Sequence, residues 1–276
     1  MAMNVTFIGG GNMASALIGG LLDKAFCRKD ELRAVEISSE ARTRLKQKYG
    51  IRCFAHAHEA WAERDDDIIV FAVKPQQMQN AARNSGLAAN ANLIVSIAAG
   101  ITLTSLSRWL GGHRHLIRAM PNTPALIGEG ITGLYALPDV TEDEKKKAEA
   151  ILSAVGPTVW IRDEKQMDAV TAISGSGPGY VFYFIEAVEE AAKQLGLPFE
   201  TAHKLALQTF SGAAKLAATS PDPVMVLREH VTSKGGTTER ALASMGADQV
   251  KEAIVRAIRA AAERSRELGD EFGKAD

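Results

Sequence analysis

The segment Val5-Thr6-Phe7-Ile8-Gly9-Gly10-Gly11-Asn12-Met13-Ala14 decides the fold class of this chain. A short apolar run leads directly into Gly-x-Gly-x-x-Ala, and a helical pattern follows it. In this context Gly9 makes the tight turn, Gly11 lets a pyrophosphate approach the backbone, and Ala14 lets the helix pack closely on the strand. The pattern therefore predicts a dinucleotide site. Its predicted contacts in this segment are Ile8, Gly9, Gly10, Gly11, Asn12, Met13 and Ala14.

Further short apolar runs continue this pattern as far as about Asp163. They are Leu32 to Ile37, Ile68 to Val73, Leu93 to Ile97 and Leu116 to Met120, and helical patterns separate most of them. The run from Ile68 is continuously apolar, which is typical of a parallel strand that is covered on both faces. The sequence therefore predicts an α/β domain with a Rossmann-like, doubly wound sheet.

After Asp163 the strand signal largely stops and helical spacing takes over. The predicted helices are Pro178 to Leu195, Phe199 to Thr219, Val224 to Val231, Thr237 to Met245 and Asp248 to Glu271. Proline and glycine breaks separate several of them. We therefore expect a dinucleotide-binding domain over residues 1–164 and an all-helical domain over residues 165–276.

Loops at the carboxyl ends of the strands extend the predicted cofactor site, because an open α/β sheet binds its ligand at that edge. The first loop is Ala72-Val73-Lys74-Pro75. In the second, Ala98-Ala99-Gly100, small side chains would let a flat nicotinamide ring come close. In the third, Asn122 lies between two prolines and is predicted to bond the nicotinamide carboxamide.

Glu36 and Ser38 are the predicted contacts to the cofactor ribose. An acidic side chain at the end of the second strand can bond the ribose hydroxyls of NAD and would repel the 2′-phosphate of NADP. Ser38, Ser39 and Arg42 could still hold that phosphate if Glu36 turned away, and a Glu36 carboxylate that points into solvent is a further interpretation. The sequence therefore leaves the choice between NADH and NADPH open.

The segment Ser233-Lys234-Gly235-Gly236-Thr237-Thr238 has the composition of a site for a small carboxylate. Its glycines permit a tight turn. Backbone N–H groups from Gly235 to Thr238 can converge there on an anion, which the dipole of the following helix favours. Ser233 adds a hydroxyl. A Gly-Gly turn followed by an ordinary threonine N-cap is the alternative on local sequence alone.

Two motifs make this chain resemble the pyrroline-5-carboxylate reductase family, and the resemblance spans nearly the whole chain. The segment from Ser233 to Thr238 is similar to the family's Ser-Pro-Gly-Gly-Thr-Thr signature, with Lys234 in place of proline. The segment from Ser174 to Tyr180 is similar to Ser-Gly-Ser-Gly-Pro-Ala-Tyr, with Gly179 in place of alanine. The loops at the strand ends resemble the family's cofactor-side motifs.

The resemblance implies a set of substrate contacts, which are Ser233, Gly235, Gly236, Thr237, Thr238, Glu164 and Ser176. Glu164 matches a position that contacts proline in relatives. His230 matches one that contacts the cofactor ribose, although a histidine that merely ends a helix is the alternative. Thr238 is the implied catalytic residue, whose hydroxyl bonds the ring nitrogen or relays a proton. A threonine is too weak an acid to protonate an imine unaided, so solvent or a protonated substrate must supply that proton.

The implied activity is the reduction of 1-pyrroline-5-carboxylate to L-proline by NADPH or NADH, the last step of proline biosynthesis. The family also implies a homodimer or higher homo-oligomer, built through the helical domain. An apolar stripe of the last helix fits such burial and equally fits a monomeric core: Val250, Ile254, Ala257, Ile258 and Ala261. The alternatives are a reductase that acts on another imine or a β-hydroxyacid, and a dinucleotide-binding redox sensor or scaffold without turnover.

Composition limits the partners of this 276-residue chain. Its 32 basic and 33 acidic residues give a formal net charge of −1, which provides no electrostatic basis for binding nucleic acid or a membrane. Cys27, Cys53 and the six histidines lack the spacing of metal ligands, so no metal is expected. Neither a signal peptide nor a membrane span is predicted, and we expect a reducing cytoplasmic location.

Overall fold

The computed structural model of the chain describes residues 3–61, 68–87 and 93–273. The chain forms two compact units. The first comprises Met1–Ser176 together with Ala261–Asp276, and the second comprises Gly177–Ala260. The boundary expected after residue 164 thus lies inside the first unit.

A single sheet forms the framework of the first unit. Its described strands are β1 (Val5–Ile8), β2 (Leu32–Val35), β3 (Arg52–Phe54), β4 (Ile68–Phe71), β5 (Leu93–Ser96), β6 (Leu116–Met120), β7 (Thr132–Ala136) and β8 (Thr158–Trp160). Their order in space is β3-β2-β1-β4-β5-β6-β7-β8, and the paired strands are parallel except for β6 with β7. The strand order reverses beside β1, so the switch point that binds ligands in such sheets lies at the carboxyl end of β1.

This sheet confirms the predicted doubly wound α/β fold. The strands β1 and β6 have the predicted ends, whereas β2 and β4 end two residues early, where the chain leaves the sheet for the loops. Strands β3, β7 and β8 were not predicted from the sequence. Two of these have only three residues, too few to show a period, and Gly133 interrupts the apolar pattern of β7.

Helices cover both faces of the sheet. They are α1 (Asn12–Asp23), α2 (Ser39–Tyr49), α3 (Ala57–Trp61), α4 (Pro75–Arg83), α5 (Leu103–Trp109) and α6 (Glu142–Leu152). One face packs Phe7 against Leu17 of α1 and Ile151 of α6, and the other packs Phe71 against Met78 of α4. All five are fully buried, and each such side chain contributes about 1.5–3 kcal/mol to stability.

A short helical connection follows β8 in the chain. It consists of α7 (Met167–Val170) and a π-helical turn over Thr171–Gly175. The Ser176 N–H donates to the Thr171 carbonyl at 2.8 Å, which is the longer spacing of a π-helix. A Cβ at Gly175 would lie 2.5 Å from Cε of Met120, so the end of that flexible side chain packs directly on the turn. Single π-turns of this kind are frequent at functional sites.

The second unit is helical, as predicted. It contains α8 (Gly177–Gln194), α9 (Phe199–Thr219), α10 (Val224–His230), α11 (Thr237–Ala247) and the first part of α12 (Val250–Gly273). Large apolar side chains are exposed on its surface, with Phe182 65%, Tyr183 69% and Phe199 68% accessible. Over the described residues, no helix is long and apolar enough to cross a membrane.

Candidate functional site

The turn between β1 and α1 has the geometry of a pyrophosphate-binding loop. Gly9 has a φ of 103°, and a Cβ there would lie 2.6 Å from the Ala72 carbonyl oxygen. Gly11 borders open space, since a Cβ there would meet no heavy atom within 4 Å. Neither a side-chain cap nor an acidic first-turn residue occupies the start of α1, so its first N–H groups are available to an anion. These features fit the pyrophosphate of a dinucleotide.

Glu36 lies against this glycine loop instead of pointing into solvent. Its Oε2 accepts a hydrogen bond from the Gly10 N–H at 2.7 Å, and its Oε1 accepts one from the Ser38 N–H at 2.8 Å. One carboxylate oxygen therefore joins the loop after β1 to the loop after β2, and the other bonds within the loop after β2. The orientation in which Glu36 turns away to admit a phosphate is not the one that this structure has.

Two of the other groups proposed for a 2′-phosphate, Arg42 and Ser38, are also engaged. Nη1 of Arg42 donates to the carbonyl oxygens of Glu36 at 2.6 Å and Ile37 at 2.8 Å. The Ser38 hydroxyl accepts a hydrogen bond from the Ala41 N–H at 3.2 Å and thereby caps α2. The loop after β2 is consequently held together by its own polar groups.

A cavity of about 450 Å³ adjoins this loop. Its lining includes Gly9, Glu36 and Ser38, together with His56 and His58, whose rings stack with centroids 5.6 Å apart. From the sequence, these two histidines were weighed only as metal ligands, for which they lack the spacing. The missing signal was β3, because that short strand ends beside β2 and carries the histidines to the carboxyl edge of the sheet. Among the described residues, no three His, Cys, Asp or Glu side chains form a metal-binding group.

The loops after β4 and β5 have defined structural roles. Lys74 is the N-cap of α4 and Pro75 its first residue, a position where the missing N–H of proline costs nothing. Ala98 is buried, and Gly100 has a φ of 73°. A Cβ at Gly100 would lie 3.4 Å from the Gly269 nitrogen, so the end of α12 packs on this loop.

Asn122 bridges the loop after β6 and the π-turn. Its Nδ2 donates to the Ser174 carbonyl at 3.1 Å, and its Oδ1 accepts from the Ile131 N–H at 2.9 Å. Both ends of the carboxamide are thus used within the first unit. Its predicted contact with the nicotinamide carboxamide stays a prediction, in addition to this bridging role.

Replacement of Asn122 is expected to destabilise the first unit. Asn122→Ala should lower the free energy of unfolding by about 1–2 kcal/mol, because both hydrogen bonds of the bridge are lost. Urea denaturation followed by circular dichroism measures the change. The control is Asn84→Ala, which removes only exposed side-chain bonds to Asn80 and should change stability by about 0.5 kcal/mol or less. Equal decreases in the free energy of unfolding in the two variants would contradict the bridging role of Asn122.

Glu164 belongs to a charged network in the first unit. Its Oε1 accepts from the Leu103 N–H at 2.7 Å and pairs with Nη1 of the buried Arg118 at 3.3 Å. Nη2 of Arg118 lies 3.8 Å from Oδ1 of Asp168, which also accepts a hydrogen bond from the Ser265 hydroxyl at 2.8 Å. Glu164 thus has structural partners, and its contact with substrate stays a prediction, as does that of Ser176.

The loop before α11 is already ordered as a turn. Gly235 has a φ of 75°, and its N–H donates to Oε2 of Glu239 at 2.6 Å. The Gly236 N–H donates to the Ser233 carbonyl at 3.0 Å, and a Cβ at Gly236 would collide with the Ser233 hydroxyl. Two of the four N–H groups that were expected to bind a carboxylate, those of Gly235 and Gly236, therefore already have partners within the protein.

The donors that the loop leaves for a ligand are those of the first turn of α11. Gly236 is the N-cap and provides no side chain, so the N–H groups of Thr237 and Thr238 come first in the helix. The Thr238 side chain is half-buried and Thr237 is exposed. His230 is the last residue of α10, a few residues before this loop. The arrangement suits a small carboxylate beside the Thr238 hydroxyl.

Two family models match the chain. The model described as pyrroline-5-carboxylate reductase dimerisation matches residues 164–268. The model described as NADP oxidoreductase, coenzyme F420-dependent, matches residues 4–100.

Individual relatives match over almost the full length. The pyrroline-5-carboxylate reductase of Pseudomonas aeruginosa is 43% identical over 271 residues, which cover 98% of each chain. The solved structure of a pyrroline-5-carboxylate reductase from Coxiella burnetii has a TM-score of 0.88 at 38% identity, covering 96% of this chain and 98% of that one. The pyrroline carboxylate reductase of Plasmodium falciparum, solved with NADP bound, has a TM-score of 0.85 at 32% identity and covers 97% and 98% of the two chains.

Proposed function

The chain belongs to the pyrroline-5-carboxylate reductase family, and we propose from this membership that it reduces the cyclic imine of 1-pyrroline-5-carboxylate to L-proline. The reaction is the last step of proline biosynthesis. Bound NADH or NADPH supplies the hydride that adds to the carbon of the C=N bond, while the ring nitrogen takes a proton. The observation that carries the proposal is the ordered turn at Gly235, which leaves the first N–H groups of α11 free to hold a carboxylate.

The residues of the first unit bind and orient the cofactor. The N–H groups at the start of α1 hold the pyrophosphate, and Gly11 leaves the room that it needs. The loops after β4, β5 and β6 complete the site at the same edge of the sheet. The contacts proposed from these three loops are Ala72, Val73, Lys74, Pro75, Ala98, Ala99, Gly100 and Asn122.

The residues of the second unit bind and orient the substrate. The N–H groups of Thr237 and Thr238 hold its carboxylate, and the Ser233 hydroxyl supports them. The ring nitrogen then lies within reach of the Thr238 hydroxyl, which hydrogen-bonds it or relays a proton from solvent. Because a threonine hydroxyl is a weak acid, orientation of substrate and cofactor supplies most of the acceleration.

The helical unit is proposed to form the interface of a homodimer or a higher homo-oligomer. The dimerisation model covers the whole second unit, and the apolar side chains exposed there, such as Phe182 and Tyr183, would be covered by a second copy. Light scattering is expected to give at least twice the 29.5 kDa of one chain. A monomer at micromolar concentration would contradict the proposal.

The two cysteines of the chain are not suited to a thiol-based redox sensor. Cys27 and Cys53 are both buried and unpaired. Burial and the nearby Glu31 raise the pKa of the Cys27 thiol to about 11, and burial also raises the pKa of the Cys53 thiol. Because the thiolate is the reactive form, neither thiol is suited to oxidation at neutral pH. Free cysteines also support the proposed location in a reducing cytoplasm.

The deciding experiment is the oxidation of NADH and of NADPH, followed by absorbance with and without 1-pyrroline-5-carboxylate, with proline identified as the product. Oxidation that depends on this substrate supports the proposed reaction. Turnover only with another imine or a β-hydroxyacid favours the alternative reductases. Dinucleotide binding without any turnover favours a sensor or scaffold.

Glu36 is proposed to make NADH the preferred cofactor, because its fixed carboxylate would repel the 2′-phosphate of NADPH. Glu36→Gln removes the charge and keeps one acceptor oxygen. We expect the ratio of kcat/KM for NADPH to kcat/KM for NADH to rise about fivefold, which corresponds to about 1 kcal/mol. Initial rates with the two cofactors at one pH measure it.

The matched control is Glu40→Gln. It makes the same change of charge in the first turn of α2, at an exposed residue outside the lining of the cavity. The ratio of kcat/KM for NADPH to kcat/KM for NADH in this variant should equal that of the wild type. A similar rise in both variants would mean that net charge, and not the position of Glu36, governs the preference.

A further inference from the structure

Glu239 makes an unusual contact at the start of α11. It is the third residue of that helix, and its Oε2 accepts a hydrogen bond from the Gly235 N–H at 2.6 Å. A glutamate at this position commonly reaches back to the N–H of the N-cap residue, which here is Gly236. Glu239 instead reaches one residue further, to the glycine with the positive φ.

This contact restrains the most flexible part of the loop. Glycine samples positive and negative φ almost equally, so two consecutive glycines do not by themselves fix the direction of the N–H groups that follow. Gly236 is restrained by its bond to the Ser233 carbonyl, and Gly235 by its bond to Glu239. The path of the backbone into Thr237 and Thr238 therefore depends on the Glu239 side chain.

The negative charge of Glu239 does not itself attract the substrate. A carboxylate at a helix N-terminus reduces the positive potential there, so it weakens the pull on a second carboxylate nearby. If Glu239 assists the reaction, it does so through the acceptor oxygen that holds Gly235. A glutamine, which is neutral and of the same shape, can offer the same oxygen.

We propose that Glu239 is a positioning residue for the substrate, which fixes Gly235 so that the N–H groups of Thr237 and Thr238 are aligned on the substrate carboxylate before it binds. The proposal rests on the function proposed above for this loop. In the free protein the alignment is already made, so binding costs less conformational entropy. Loss of the contact should therefore appear mainly in KM for the imine.

The test compares Glu239→Ala, Glu239→Gln and a matched control. Glu252→Ala is that control, because Glu252 is also a first-turn glutamate of a helix, and it has no hydrogen bond or ion pair to any residue that the structure describes. We measure kcat, KM for 1-pyrroline-5-carboxylate and KM for the nicotinamide cofactor. Circular dichroism and light scattering check that each variant keeps the fold and assembly of the wild type.

The expected result is a five- to tenfold rise in KM for the imine in Glu239→Ala, with kcat changed less than twofold and KM for the cofactor unchanged. Glu239→Gln should restore KM to within about twofold of the wild type, and Glu252→Ala should match the wild type. A general loss of structure would alter the KM for the cofactor or the thermal transition as well, and glutamine would not selectively restore the KM for the imine.

Three results would overturn the proposal. The first is a Glu239→Ala variant with wild-type kinetics, and the second is a Glu239→Gln variant as impaired as the alanine variant, which would assign the effect to charge. The third is a Glu239→Ala variant in which kcat falls while KM for the imine stays at the wild-type value. In each case the wild type still reduces the imine, so the proposed function stands. A wild type that binds the cofactor but reduces no 1-pyrroline-5-carboxylate overturns the proposed function, and this inference with it.

Discussion

Gly9→Ala is expected to weaken dinucleotide binding more than a hundredfold. The residue has a φ of 103°, which L side chains rarely adopt, and its new Cβ would lie 2.6 Å from the Ala72 carbonyl oxygen. Neither the Gly9 backbone nor the Ala72 backbone can shift easily to relieve this contact. The Gly9 N–H donates to the Val35 carbonyl at 2.8 Å, and the Ala72 N–H donates to the Ile8 carbonyl at 2.7 Å. The loop must therefore move away from the pyrophosphate that it is shaped to hold.

Alanine variants of two other glycines show whether the loss of dinucleotide affinity comes from a strained turn or from a filled pyrophosphate site. Gly11→Ala should keep wild-type stability, because its Cβ meets nothing within 4 Å, yet it should still weaken cofactor binding by filling the space of the pyrophosphate. Gly246→Ala in α11 also meets nothing and should leave affinity unchanged. Titration of NADPH fluorescence gives the Kd values. Wild-type affinity in Gly9→Ala would show that the turn does not bind the pyrophosphate.

Thr238→Ala is expected to lower kcat more than tenfold while the Kd for the dinucleotide stays near that of the wild type. Alanine keeps the backbone N–H that holds the substrate carboxylate and removes only the hydroxyl next to the ring nitrogen. The loss should therefore fall on the transition state, where that nitrogen gains its proton. Steady-state rates and a cofactor titration measure the two quantities.

Two threonine variants test the specificity of this effect. Thr238→Ser keeps a hydroxyl and should retain most of the activity. Thr237→Ala removes the neighbouring, exposed hydroxyl and keeps its N–H, so its kcat should also stay close to that of the wild type. Full activity in Thr238→Ala would end the catalytic assignment of Thr238.

The sequence predicted those parts of the molecule whose interactions are local in the chain. The glycine turn leads directly into the helix that follows it, so its position was predicted. The helices of the second unit carry long periodic patterns and were predicted close to their observed bounds. The strands β3 and β8 were missed because three residues carry no pattern. Their presence depends on neighbouring strands that offer free backbone partners.

The sequence predicted which residues belong to the candidate site, but not which of them contact one another. Glu36 bonds the Gly10 N–H across 26 positions of sequence, and Ser265 bonds Asp168 across 97. No periodicity links such pairs, because they meet only once the sheet and its helices are assembled. Even the short link from Glu239 to Gly235 was not expected, since the sequence suggested that Gly235 would offer its N–H to the substrate.

With NADH as the proposed preferred cofactor, a lineage of this enzyme that changed to NADPH would have to acquire more than one substitution. Replacing Glu36 alone would remove a repulsive charge, but it would also free the Gly10 and Ser38 N–H groups from their acceptor. Arg42, a cation that contacts this loop, would still be held by the carbonyls of residues 36 and 37. Intermediates on that path would carry a loosened cofactor loop before they gained a phosphate site. Selection should therefore conserve Glu36 and Arg42 as a pair, and the two should change together or not at all.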